Sequence, residues 1–181
     1  SLSPGQAVIN GKIAGDDVQL FSASGAFTDK NVGSNKAVNI TNITLSGSDL
    51  VNYDFLNNTA SATASITPKA VTLSGVTAGN KVYDGTTAAV LSGGTLTGMV
   101  EGETLGFSGG VGSFSDKNAG TGKVVTISGA SLQDGTGLAS NYAFSSPANV
   151  NADISKATIS GVTNVAVNNK TYDGSAMATL N

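Results

Sequence analysis

A Tyr-Asp-Gly triplet occurs twice in the chain, as Tyr83-Asp84-Gly85 and Tyr172-Asp173-Gly174. Each copy follows a lysine two positions earlier, Lys81 or Lys170, and precedes a hydroxyl residue, Thr86 or Ser175. A phenol beside a carboxylate could contact a sugar. Asp-Gly equally suits a turn that needs positive φ, with the carboxylate accepting bonds from nearby backbone amides. Recurrence at equivalent places favours architecture over a ligand site. A second recurring triplet is Asp29-Lys30-Asn31 and Asp116-Lys117-Asn118. A Lys–Asn isopeptide bond would require burial beside a carboxylate, which a turn tip does not offer. At such a tip Asp and Asn bond the backbone, and the lysine keeps the turn solvated. Asp16-Asp17 aligns with Glu103-Thr104, so one acid recurs. Calcium takes roughly six to eight oxygens from a clustered loop, and no stretch has that spacing. Charged edges that discourage sheet association are the simpler reading. The glycine-rich runs Gly109-Gly110-Val111-Gly112 and Gly120-Thr121-Gly122-Lys123 lack phosphate-loop spacing, and Val124 stands where a hydroxyl would be needed.

Composition narrows the chemistry further. The 181 residues include no His, Cys or Trp, and all nine basic residues are lysines. Zinc, haem and iron–sulfur sites therefore have no usual ligand set, and Cys- or His-dependent catalysis is excluded. Charged residues are 12% and net charge is −3, which is incompatible with a surface that tracks phosphates. We expect no enzyme, no cofactor and no nucleic-acid partner. No apolar run is long enough for a membrane helix. The opening Ser1-Leu2-Ser3-Pro4-Gly5 does not have the form of a secretory leader, and the chain reads as a piece of a longer protein.

Self-similarity organises the elements that position these residues. Phe27-Thr28-Asp29-Lys30-Asn31-Val32-Gly33 returns as Phe114-Ser115-Asp116-Lys117-Asn118-Ala119-Gly120, and Asn52-Tyr53-Asp54-Phe55 as Asn141-Tyr142-Ala143-Phe144. Ile66-Thr67-Pro68-Lys69-Ala70 returns as Ile154-Ser155-Lys156-Ala157, without the proline. The repeat is about 87–89 residues long. Residues 1–69 form a first unit lacking its opening strand, 70–156 a complete second unit, and 157–181 the opening strand or strands of a third. Apolar residues alternate with polar ones, as in Val125-Thr126-Ile127 and Tyr142-Ala143-Phe144, the pattern of half-buried strands. The expected fold is all-β: tandem antiparallel, immunoglobulin-like β-sandwiches. Phe27, Tyr53, Phe55, Phe114, Tyr142 and Phe144 are the expected core aromatics.

The ordered set Lys81-Val82-Tyr83-Asp84-Gly85-Thr86-Thr87, Gly15-Asp16-Asp17-Val18, Phe27 to Gly33, Asn52-Tyr53 and Ile66 to Ala70 resembles the YDG-type repeats. These are related to the MBG repeats of large, filamentous-haemagglutinin-like bacterial surface adhesins. The resemblance implies a secreted or cell-surface stalk segment in attachment and biofilm, with no catalytic residues. Expected partners are neighbouring units of the same protein and, in a second reading, a surface polysaccharide or calcium. Head-to-tail self-association is also expected, with the strand Lys170 to Gly174 of one molecule completing the first unit of the next.

Overall fold

The computed structural model describes residues 7–180; the expected start of the first unit at Ser1 lies outside the described residues. The chain is all-β, with 48% of residues in strands and 3% in helical turns. β1 (Gln19–Phe27), β2 (Gly33–Ser46) and β3 (Ala60–Ile66) form one antiparallel sheet in the order β1-β2-β3. Val18 and Val38 are the buried hydrophobic residues among the described part of this unit. Other apolar side chains line an open groove of about 660 Å³, among them Ile9, Leu20, Ile40, Leu45, Phe55 and Ala62.

From Lys69 onward the strands are β4 (Lys69–Ala78), β5 (Lys81–Val82), β6 (Ala88–Ala89), β7 (Leu91–Thr97), β8 (Leu105–Ser108), β9 (Val111–Phe114), β10 (Gly120–Ser128), β11 (Ser131–Asp134), β12 (Tyr142–Ser145) and β13 (Val150–Ser155). They pair as β5-β13-β10-β9-β6, β12-β4-β7 and β11-β8. The predicted alternation holds in β10, where Val125 and Ile127 point inward and Val124 and Thr126 outward.

The sheets depart from the two antiparallel layers expected. β12 runs parallel to β4 and β13 parallel to β5, and the strands curl into a nearly closed, barrel-like wall. Glycine explains part of this. The long hairpin β1–β2 corresponds to two shorter ribbons, β9–β10 and β8–β11, cut at Gly109-Gly110 and Gly129-Ala130. Gly110 has φ +79°, and a Cβ there would lie 2.3 Å from the Ser128 carbonyl oxygen. Only glycine permits that bend, so a single ribbon serves two sheets.

The enclosed core has two patches, Leu73-Val76-Leu96-Ile127 and Phe114-Val125-Ala152-Ile154, joined through Leu91 and Val150. Phe114 and Tyr142 are buried, and Phe144 packs against the first patch. Phe27 and Phe55 differ from the expectation: both are exposed, Phe55 by 45%. Their counterparts Phe114 and Phe144 are covered by β4 to β6 and their neighbours, and no such strands lie over the first unit among the described residues. After β13 the tail forms no further strand among the described residues, only an isolated bridge between Val167 and Leu180.

Candidate functional site at the junction between repeats

The Tyr-Asp-Gly segment is a closed local clamp. Asp84 Oδ1 accepts from the Thr86 amide and hydroxyl, both at 2.9 Å, and from Lys81 Nζ at 2.9 Å. Lys81 Nζ also donates to the carbonyls of Thr86 (2.9 Å) and Ala88 (3.0 Å), and lies 5.5 Å from the centre of the Phe114 ring. Gly85, at φ +79°, makes the turn possible. The Lys81 ammonium, then the Thr86 donors, hold the Asp84 carboxyl down to about 2. In the tail the same bonds recur: Asp173 accepts from the Ser175 amide and Lys170 Nζ, each at 2.9 Å, while Tyr172 stands in solvent. The Gly79 amide bonds the Val90 carbonyl at 2.9 Å, and the Asn168 amide bonds the Thr179 carbonyl at 2.9 Å. Tyr83, partly exposed, donates its amide to the Ser155 carbonyl at 2.8 Å.

The Asp-Lys-Asn turns are braced alike. Asp29 accepts from the Asn31 amide at 2.8 Å and pairs with Lys36. Asp116 accepts from the Asn118 amide at 2.8 Å and from Lys123 Nζ at 2.7 Å. The first turn then does something unforeseen: it docks on the following unit. Lys30 Nζ donates to Glu103 Oε1 at 2.9 Å, the Val32 amide to Asn141 Oδ1 at 2.9 Å, and Asn141 Nδ2 to Asn31 Oδ1 at 3.0 Å. Asn141 ends the short helical turn Ala139–Asn141 that leads into β12. The Tyr142 hydroxyl fixes the receiving carboxylate, donating to Glu103 Oε2 at 2.7 Å and accepting from the Val100 amide at 3.2 Å. Tyr142 first and Lys30 second lower the Glu103 carboxyl from its usual range; Glu103 in turn raises both the Lys30 ammonium and the Tyr142 phenol.

A family model described as the YDG domain matches residues 2–64 and 67–150, more than half of the chain. The chain belongs to the YDG-domain family. No curated protein and no solved structure matches it.

Both YDG segments carry the receiving half of this junction. In the first, the Tyr53 hydroxyl donates to Asp16 Oδ2 at 2.6 Å and accepts from the Ile13 amide at 2.9 Å, repeating the Tyr142–Glu103–Val100 arrangement. Asn52 stands where Asn141 stands in the second. The neighbouring acids have a structural use: Asp17 Oδ2 accepts from the Ser48 amide at 3.0 Å, and the Asp17 amide donates to Asp49 Oδ2 at 2.7 Å. In the second YDG segment Thr104 and Thr136 make the equivalent brace with hydroxyls, at 2.7 and 3.1 Å. Among the described residues no three acidic side chains gather closely enough to hold a metal ion. Sequence reasoning missed Glu103 and Asn141. The available signal was that a lysine, an asparagine and an acid each recur once per unit at turn tips, more than a solvated turn requires.

Proposed function

We propose that this chain is a spacer segment of an extracellular bacterial adhesin or fibre, built from tandem 87–89-residue YDG units of immunoglobulin-like outline. The observation that carries the reading is the junction from Lys30 and Asn31 to Glu103 and Asn141. It is made entirely by residues that recur in register, so each unit presents the same turn forwards and the same acid–Asn–Tyr socket backwards. Such contacts propagate along a tandem array and limit bending between neighbours. Two bonds to Asn141, each contributing roughly 0.5–1.5 kcal/mol net, suffice to restrict orientation while leaving each unit to fold on its own. Low charge, a Cys-free chain and a polar surface suit repetition outside the cell. Small-angle scattering tests the spacer reading. A single elongated conformation is expected, broadening to a flexible ensemble on Lys30→Ala with Asn31→Ala. Two independently tumbling units in the unaltered chain would overturn it.

A further inference from the structure

The chain carries four Asn-x-Thr triplets, beginning at Asn39, Asn42, Asn57 and Asn169, each of the form that accepts an N-linked sugar. The fold treats them differently. Asn39 lies in β2 between Ala26 of β1 and Ser61 of β3. Asn42 follows in the same strand, and the hydroxyl of its triplet, Thr44 Oγ1, is engaged by Ser22 Oγ at 2.6 Å. A central strand cannot leave its sheet to enter a transferase cleft, which must hold the carboxamide and the hydroxyl together. Asn169 occupies the repeat position of Asn80, whose Oδ1 accepts the Asp153 amide at 2.7 Å. Asn57 is placed otherwise. Residues 53–59 form no strand, and Asn57, Asn58 and Thr59 are all exposed. Asn57 Oδ1 accepts from the Thr59 amide at 3.1 Å and from the Thr59 hydroxyl at 2.8 Å. A backbone amide can only donate, so the side-chain atom facing it is the oxygen. Nδ2, on the other branch of the carboxamide, makes no hydrogen bond among the described residues. The turn thus brings the two groups that define an acceptor side by side and leaves the nucleophilic nitrogen open.

This exposure belongs to the position within the unit. In the second unit Phe144 packs against the core, and Ser146, the counterpart of Asn57, is exposed just past the end of β12. The copies also diverge here. From Phe55 to Ile66 the first is one residue longer than the second from Phe144 to Ile154, where Ser146-Pro147 replaces the acceptor. Loops of this kind carry function because the scaffold tolerates change in them. We propose that Asn57 is an N-glycosylation site, taking a sugar whose anomeric carbon is activated by a phosphate ester. The bond from Asn57 Nδ2 to the anomeric carbon forms as the bond from that carbon to the phosphate oxygen breaks. The leaving group departs as a nucleoside diphosphate or a polyprenyl pyrophosphate, and the Nδ2 proton passes to a base of the transferase. The sugar lies clear of the junction. In the second unit Asn141 immediately precedes β12 and Ser146 immediately follows it, so the four strand residues separate them by about 13 Å. A glycan at this position covers the flank of a unit and leaves the acid–Asn–Tyr socket accessible.

Mass spectrometry of peptides from the chain isolated from the cells that make it tests this. The peptide spanning Asn57 should carry added sugar, and the Asn57→Gln chain should lose it with an unchanged circular dichroism spectrum. A block of several sugars assigns the polyprenyl donor, and single hexoses assign the nucleotide donor. Selection by the fold is read with the purified chain, UDP-glucose and a soluble asparagine glucosyltransferase. Glucose should enter Asn57 about tenfold faster than Asn39, Asn42 or Asn169. The same four sites should react at similar rates once the chain has been cut into peptides. An unmodified Asn57 in the isolated chain, equal rates at Asn57 and Asn39 in the folded chain, or the same preference in the cut peptides would each overturn the proposal. None of these results bears on the spacer reading, which small-angle scattering decides.

Discussion

The two units are built from the same ordered segments, yet among the described residues only the second encloses a core. Leu96, Ile127 and Phe144 meet Leu73 and Val76 across its interior, whereas Ile9, Ile40 and Phe55 face an open groove. The strand partners decide the difference. β4 holds β12 on one side and β7 on the other, and the first unit's Tyr53-Asp54-Phe55-Leu56, which corresponds to β12, forms no strand, with no counterpart of β4 among the described residues. One strand therefore both organises the hydrogen bonds of its neighbours and supplies the side chains that close the core.

Paired substitutions sharpen this comparison. The largest contrast is expected for phenylalanine. Phe114→Ala should destabilise the second unit by about 3–5 kcal/mol, because Phe114 is 2% exposed, whereas Phe27→Ala should change stability by under about 1 kcal/mol. Denaturant titration of each variant checks it, and equal losses would show that the first unit has a closed core after all. Next, Leu73→Ala should cost about 2–5 kcal/mol and Ile159→Ala almost nothing, measured the same way.

A smaller effect concerns acid. Asp84 titrates at about 2 when folded and near 3.8 otherwise, so its contribution is complete above about pH 4 and disappears as pH falls through about 2. Asp173, lowered by Lys170 and the Ser175 amide, should behave in the same direction although no strand packs around it among the described residues. Carboxyl chemical shifts followed from pH 7 to 1.5 would test both, and a normal Asp173 titration would show that the clamp needs the rest of the unit. The smallest change is expected at the junction. Asn141→Ala should leave the melting of the second unit within about 2 °C yet uncouple the orientations of the two units, as seen in residual dipolar couplings; Asn52→Ala should change neither melting nor orientation.

Much of this difference was legible in the chain. Period-two alternation located the strands around Val125-Thr126-Ile127, and the recurring triplets marked turns that the two segments build alike. The aromatics misled in one half only, because a repeated Phe marks a position in the unit and says nothing about whether the covering strand is there. The parallel β12–β4 pairing was hidden, since strands some 70 residues apart leave no local trace of their direction. The junction was hidden for a related reason: Lys30 and Glu103 are ordinary turn charges until the fold brings them to 2.9 Å.

The direction of β4 has a mechanical consequence. The chain enters the second unit at Lys69, the start of β4, and leaves it at Ser155, the end of β13. A pull applied at Lys69 along the axis of β4 works against β12 on one side and β7 on the other. Its hydrogen bonds then bear the load side by side and must rupture together, whereas a strand peeled from one end would lose them singly. Under pull, the strand that closes the core is also the fastening that sets the force at which the unit opens.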